Sequence, residues 1–281
     1  MRNHGQVGLL ATKLLLAPSF VVCASLAARR FGPRVGGLIA GLPVVAGPIL
    51  LAYALAHGTG FAAGAAVGTL LGLVSLIAFV VVYARLAARV AWGASMLAGW
   101  LAFALATALF SALAVPAGAA LAIAGCGLLG GLLLTPRART EVRPAAEAPR
   151  WDLPMRAACA LALVLTLTAV AGWLGPRLSG LLAPFPIIAT VLATFTHAQR
   201  GSGEVQHLLR WLLGGYGAFA LFCFTLAVSL RPLGTAPAFA LAGAVALLTQ
   251  GAILTLMARL PTVSPAPIAG ASGALGGHGS S

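Results

Sequence analysis

The sequence predicts an all-α polytopic membrane protein of about nine transmembrane helices, arranged as two inverted four-helix repeats and one linker helix. Hydrophobic residues make up 60% of the 281 residues, and charged residues only 7%. A water-soluble core of this length cannot bury so much apolar surface, so the predicted solvent is lipid. Long apolar runs between short basic segments, and one phrase that occurs twice, support the same class.

The repeated phrase is twelve residues long. Gly-Pro-Arg-Val-Gly-Gly-Leu-Ile-Ala-Gly-Leu-Pro occupies residues 32–43, and Gly-Pro-Arg-Leu-Ser-Gly-Leu-Leu-Ala-Pro-Phe-Pro occupies residues 175–186. The same offset of 143 positions relates Gly58 to Gly201 and Phe79 to Phe222, so the register extends beyond the phrase. Because a duplication decides the architecture, four segments are predicted. They are a first repeat at 1–114, a linker helix and cytoplasmic basic loop at 115–152, a second repeat at 153–260 and a disordered tail at 261–281.

Nine apolar runs are long enough to cross a bilayer, which takes about 18 to 25 residues as a helix. They lie approximately at residues 7–27, 35–56, 61–84, 91–113, 117–134, 155–174, 178–196, 205–230 and 236–258. Four crossings return the chain to its starting side. The fifth run, 117–134, therefore carries it across and inverts the second repeat relative to the first.

The loop arginines predict the orientation in the membrane. If the loops alternate sides, most arginines fall on one side and only three on the other, which receives Arg2, Arg177 and Arg231. Basic residues are retained on the cytoplasmic side, so the N-terminus is predicted outside and the C-terminus inside. We therefore interpret the arginines behind the net charge of +13 as signals that set the orientation in the membrane. The arginines form no basic stripe with interleaved aromatics, so no nucleic-acid partner is expected.

Prolines interrupt the second helix of each repeat and mark the candidate substrate site. They are Pro43 and Pro48 in the first repeat, and Pro184 and Pro186 in the second. A proline frees a backbone carbonyl one turn earlier, and in lipid such groups are tolerated only against protein or a watery cavity. Equivalent broken helices in inverted halves predict a site at the membrane midplane. The alternative is a kink that only improves packing.

Four further side chains are candidate substrate ligands. Lys13 and Arg156 are 143 positions apart, each inside an apolar run where a cation is expensive unless it pairs or reaches water. For Lys13 the alternative is snorkelling to the headgroups. Thr190 and Thr194 share one helix face, although threonines commonly bond only to their own helix.

The repeated phrase contributes one arginine to each half, Arg34 and Arg177. Arg177 falls on the outer side, where the topology rule disfavours positive charge, so a local role is expected. Two interpretations stay open. Either the arginine caps a turn and reaches phosphate headgroups or helix carbonyls, or it contributes directly to a substrate path.

The sequence offers little for metal, cofactor or catalytic chemistry. Its four carboxylates lie in or beside predicted cytoplasmic loops, and none is expected to be buried: Glu141, Glu147, Asp152 and Glu204. The four cysteines stand alone in apolar stretches. No nucleophile elbow, zinc-protease motif, P-loop or dinucleotide fingerprint occurs. We therefore predict that the protein is not an enzyme and uses neither a metal nor a cofactor.

Two patterns on predicted helices have structural interpretations. Glycines recur every four residues at Gly60, Gly64, Gly68 and Gly72, which predicts close helix contacts, within the chain more readily than in a homodimer. Glu204, His207 and Arg210 are spaced by three, which predicts a solvated face of ion pairs.

One segment resembles a known family. Ala-Arg-Arg-Phe at 28–31, Gly-Gly-Leu-Ile-Ala-Gly-Leu-Pro at 36–43, and His57-Gly58 after a long apolar run resemble the GlpM-like family of small four-helix bacterial inner-membrane proteins. The resemblance covers residues 7–113 and, more loosely, 153–258. It implies two fused copies in the bacterial inner membrane. The chain departs from the family pattern at Pro48 and at residues 54–57, where an acidic residue is expected before the glycine.

The predicted function is that of a transporter or permease for a small anionic or neutral solute bound near the broken helices. The lipid bilayer and the solute are the expected partners, with a homodimer as a further possibility. The alternative is a membrane scaffold or assembly factor that transports nothing and serves envelope polysaccharide or lipid handling.

Overall fold

The structure, a computed structural model, describes residues 19, 21–44, 46–136, 151–163, 165 and 184–259. Throughout this part of the chain the secondary structure is helical, without strands, which confirms the predicted all-α class. The helices are α1 (residues 21–31), α2 (Pro33–Ala40), α3 (Ala46–His57), α4 (Thr59–Leu86), α5 (Trp92–Ser111), α6 (Ala117–Leu134), α7 (residues 152–163), α8 (Ile187–Arg200), α9 (Ser202–Leu233) and α10 (Thr235–Arg259). Lys13, Arg177 and the 261–281 tail lie outside the described residues.

Five of these helices are long and apolar enough to cross a membrane, namely α4, α5, α6, α9 and α10. They coincide with five of the predicted runs and confirm an α-helical membrane protein. The predicted run at 35–56 is instead divided into α2 and α3, because Pro43 lies in a break between them. The described residues therefore contain five continuous helices of spanning length, and three of the nine predicted runs, 7–27, 155–174 and 178–196, extend beyond them.

Helices α4 and α9 form the centre of the molecule. In the most apolar 18-residue stretch of each, 61% of the residues are buried, and the two helices pack against each other. In the corresponding stretches of α5, α6 and α10 only 17% of the residues are buried, so these helices lie outside the central pair. On α5 the exposed side chains recur every fourth residue, at Leu97, Leu101, Leu105 and Leu109. That spacing places them on one helix face, which is the expected lipid-facing surface.

Helix α2 packs unusually closely against α9. A Cβ atom added to Gly41 would lie 2.6 Å from the Cα atom of Gly215, and one on Gly37 would lie 2.6 Å from the carbonyl oxygen of Leu208. Glycine is required at both positions because a side chain would collide with backbone. Small residues commonly allow such approaches between membrane helices.

The glycine stripe of α4 has two different surroundings. No described atom lies within 4 Å of a Cβ built on Gly60, Gly64 or Gly68. Among the described residues, α4 presents these three glycines to an open groove, and the contacts predicted within the chain are not found there. Gly72 alone packs closely, against Pro184. A homodimer through the open part of the stripe stays a prediction.

Candidate functional site

The break after α2 is a tight backbone turn centred on Pro43. The N–H group of Val44 donates to the carbonyl of Leu42 at 2.8 Å, spanning a single residue. A hydrogen bond across one residue defines a γ-turn, whose inverse form suits the fixed φ of proline. The Gly47 N–H group then donates to the Pro43 carbonyl at 2.8 Å, which continues into α3. The proline therefore ends one helix and begins the next.

A turn of the same kind lies directly before α8, and residues 166–183 ahead of it lie outside the described part of the chain. Ile187 donates its N–H group to the carbonyl of Phe185 at 2.7 Å, across Pro186. Pro186 has φ −74° and ψ 51°, close to the inverse γ-turn. The N–H group of Thr190 donates to the Pro186 carbonyl at 2.7 Å, as the first turn of α8. The turns at Pro43 and Pro186 thus share one hydrogen-bonding pattern.

A cavity of about 50 Å³ lies where these two turns meet. Its lining includes three of the four predicted prolines, together with residues of α3, α4, α8 and α9: Leu42, Pro43, Ala46, Leu76, Pro184, Phe185, Pro186, Ala189, Tyr216 and Phe219. Pro48, the fourth, is half-buried on α3 and does not line it. A water molecule needs roughly 10 to 15 Å³ of such volume, so the cavity has room for a few waters.

Two helix N-termini converge on the cavity. The α3 N-terminus contributes Ala46, and the α8 N-terminus contributes Ile187, Ile188 and Ala189. The first N–H groups of a helix have no partner within that helix, and the helix dipole adds partial positive charge there. Here the N–H groups of Gly47 and Ile187 are already bound to turn carbonyls, so the other first N–H groups are the candidate donors. Apart from these termini, the lining is mostly apolar. The cavity is therefore suited to an electronegative atom of a small solute.

The two candidate threonines lie on α8 beyond this lining. The hydroxyl of Thr190 accepts a hydrogen bond from Trp100 Nε1 at 3.0 Å and is buried, so it joins α8 to α5. Thr194 lies one turn further on, on the same face, beside the Tyr83 side chain. Neither threonine is among the residues that line the cavity.

Arg156 lies in a separate polar cluster. Its Nε donates to Oδ2 of Asp152 at 2.8 Å, and its guanidinium stacks 4.9 Å from the ring of Phe195. Arg29 and Gln199 also donate to the Asp152 carboxylate. Asp152 is completely buried, so the expectation that no carboxylate is buried is wrong. Helix α7 begins at Asp152 rather than after it, and the arginines on either side stabilise the charge there.

The Asp152 carboxyl group is held in its ionised form. Burial raises its pKa, but hydrogen bonds from Arg156 and Gln199, attraction to Arg156 and a hydrogen bond from Arg29 lower it by more. The pKa is therefore below its ordinary value. Arg156 forms an ion pair with this carboxylate. It does not line the cavity between the proline turns.

Arg34 is exposed at the start of α2, with its guanidinium carbon 5.6 Å from the centre of the Trp211 ring. This cation–π contact holds α2 to α9. Arg210, a member of the predicted ion-pair face, donates to carbonyls at the end of α6. Glu204 instead pairs with Arg200 at 3.6 Å. Among the described residues, no group of three His, Cys, Asp or Glu side chains could hold a metal ion.

Sequence reasoning missed the aromatic and aliphatic walls of the cavity. Tyr216 and Phe219 on α9 and Leu76 on α4 look like ordinary apolar helix residues in the sequence. One signal was available, since Leu76 and Phe219 are 143 positions apart. Comparison with protein-family models, curated proteins and solved structures found no match to this chain.

Proposed function

We propose that this protein is a transporter of inverted-repeat architecture, with a small anionic or neutral solute bound between the γ-turns at Pro43 and Pro186. The proposal includes nine crossings, an outside N-terminus, an inside C-terminus and a place in the bacterial inner membrane. A relationship to the GlpM-like family belongs to the same proposal. The observation that carries it is the composition of the cavity wall.

Much of that wall consists of residue pairs 143 positions apart. The pairs are Leu42 with Phe185, Pro43 with Pro186, Ala46 with Ala189, and Leu76 with Phe219. A pocket lined by equivalent residues of two repeats is what a pseudo-two-fold axis through the pocket produces. Inverted-repeat transporters carry their substrate sites at such an interface.

Contacts between the halves support the same axis. If a two-fold axis relates the repeats, each contact has a counterpart in which both residues move by 143 positions to the other half. The contact of Gly41 with Gly215 has the counterpart Pro184 with Gly72, and both are present. Likewise α3 contacts α10, and its counterpart α8 contacts α5. The predicted linker helix, α6, contacts both α4 and α9.

The chemistry of the cavity supports the proposed class of solute. Two helix N-termini offer N–H donors and partial positive charge, which favour a carboxylate, a phosphate or a neutral oxygen. Transporters with discontinuous helices use half-helix N-termini in this way. Arg156 is paired with Asp152, so in this proposal it positions helices and does not bind the solute. The small volume requires the halves to move apart when the solute enters.

The test is a comparison of metabolites in cells that produce the wild type, Ala189→Leu, Ala104→Leu or an empty vector. Ala189 lines the cavity, whereas Ala104 is exposed on the lipid-facing α5 and is the matched control. We expect the wild type and Ala104→Leu to change the level of at least one small anionic or neutral solute. Ala189→Leu should resemble the vector at equal protein level.

The second candidate function is a scaffold or assembly factor, which the closely packed, mostly apolar interface of α2 and α9 would also suit. The scaffold function predicts identical metabolite profiles in all four strains, and that result would contradict the transporter proposal. Size-exclusion chromatography of each purified variant distinguishes a blocked cavity from a chain that does not fold.

A further inference from the structure

A basic pocket of about 500 Å³ lies where the ends of three helices meet. It is formed by the C-terminal ends of α4 and α6 and the first turns of α9. Three arginines line it, Arg85, Arg89 and Arg210, with Leu133 and Leu134 of α6 beside them. This pocket is separate from the cavity at the proline breaks and shares no lining residue with it.

Two of the arginines are held in place by the end of α6. Arg85 Nε donates to the carbonyl of Leu134 at 2.9 Å. Arg210 Nη1 donates to the carbonyls of Leu132 at 2.7 Å and Thr135 at 3.1 Å. The last carbonyls of a helix have no partner within it, so both guanidinium groups act as caps. A guanidinium has five N–H donors, so the capping bond through Nε leaves the two amino groups of Arg85 available for a ligand.

The pocket has a strong charge preference. Arg85 and Arg89 each bring a formal positive charge to it, and no acidic side chain is among the described residues that line it. The arginine side chains present planar sets of donors that match the oxygens of phosphate. Several cations in one concave surface beside a low-dielectric wall attract anions and exclude cations.

Two leucines in the remaining wall continue into the exposed, apolar side of α6. The side chains of Leu133 and Leu134 are 72% and 49% exposed, and Leu129 lies one turn before Leu133 at 62%. A ligand that fits both the arginines and the leucines has a phosphate at one end and a hydrocarbon chain at the other. Basic pockets between transmembrane helices are known to bind anionic lipid headgroups.

We propose that this pocket binds the phosphate of an anionic phospholipid, with the acyl chains along Leu129 and Leu133. A free phosphate would use the same arginines but gains nothing from exposed leucines, which is why the lipid is favoured. The site is independent of any transported solute.

The test is native mass spectrometry of the full-length chain in detergent, titrated with phosphatidylglycerol, phosphatidylcholine or inorganic phosphate. Arg89→Gln is the main variant, because the Arg89 side chain makes no hydrogen bond or ion pair to the described residues and, unlike Arg85 and Arg210, caps no helix end. Arg85→Gln is the second variant. Arg231→Gln, exposed about 30 Å away at the other end of α9, is the matched control.

The wild type should bind phosphatidylglycerol saturably and more tightly than phosphatidylcholine. Each pocket variant should weaken that binding about fivefold, the effect of removing one cation near an anionic headgroup. Arg89→Lys, which keeps the charge, and Arg231→Gln should bind within about twofold of the wild type. Equal affinity for phosphatidylglycerol in the wild type and both pocket variants would overturn the proposal. Arginine-dependent binding of inorganic phosphate without phosphatidylglycerol binding would overturn the lipid assignment.

Discussion

At the scale of single residues, the buried cluster around Asp152 shows how charge is accommodated in this largely apolar chain. Two arginines and Gln199 converge on one carboxylate that has no exposure to solvent. Taking ions out of water is costly, and only good geometry with all partners present offsets that cost. The cluster also joins α1, α7 and α8, which are distant in the sequence.

Replacing Asp152 by alanine should therefore be strongly destabilising. Arg156 would remain buried without its partner, and breaking a buried pair in this way costs about 3 kcal/mol. The matched change is Glu204→Ala, which breaks the partly exposed pair with Arg200 and should cost less than about 1 kcal/mol. Unfolding of the purified protein in mixed micelles measures both. Equal losses for the two variants would contradict this account of the cluster.

The sequence predicted part of this cluster. Arg156 was recognised as a cation inside an apolar run, which needs a partner. Its partner was missed although Asp152 is only four positions away, because Asp152 was placed in a loop and not at the start of a helix. The contacts with Arg29 and Gln199 join positions 123 and 47 apart, and no local pattern reports such distances.

At the scale of elements, the two proline turns and the close packing of α2 on α9 shape the candidate site. Pro43 predicted that a helix ends near it, and Pro186 directly precedes α8, because a proline cannot continue the hydrogen-bond ladder. That both turns would be γ-turns and would face one cavity was not predictable, since it depends on how α2, α4, α8 and α9 pack. For the same reason the glycine stripe of α4 did not show that Gly72 contacts Pro184 while the other three glycines face a groove. The spacing of residues shows which of them share a helix face, but not what packs against that face.

The packing of α2 on α9 predicts opposite effects for two neighbouring glycines. A Cβ on Gly215 would lie 2.7 Å from the carbonyl oxygen of Leu38 and 2.9 Å from the Cα atom of Gly41. Backbone atoms cannot easily move away from an added methyl group, so Gly215→Ala should lower the free energy of unfolding by about 1 to 3 kcal/mol. On Gly214 the nearest atom is a leucine methyl at 3.4 Å, which can move.

Gly214→Ala should therefore be neutral or stabilising by up to about 1 kcal/mol, since alanine is the better helix former. Thermal unfolding of the two purified variants makes the comparison. A similar loss in both would mean that α2 does not approach α9 as closely as described.

At the scale of the whole molecule, the proposed duplication would give one cause to several separate features. The two γ-turns, the paired cavity wall and the reciprocal contacts of Gly41 and Pro184 are what two halves related by an axis through the cavity would produce. The offset of 143 positions was visible in the sequence, but it gave no information on whether the halves touch. That information comes from the packing of α4 and α2 against α9, and of α8 against α5.

The most direct test of the inverted arrangement is cysteine accessibility in intact cells, on a background in which the four native cysteines are replaced. His57→Cys and Arg200→Cys occupy equivalent positions, 143 apart, at the ends of α3 and α8. A membrane-impermeant maleimide added outside should label the cysteine at 57 and not the one at 200, which should be labelled only after the membrane is opened. Labelling of both positions from the same side would contradict the account.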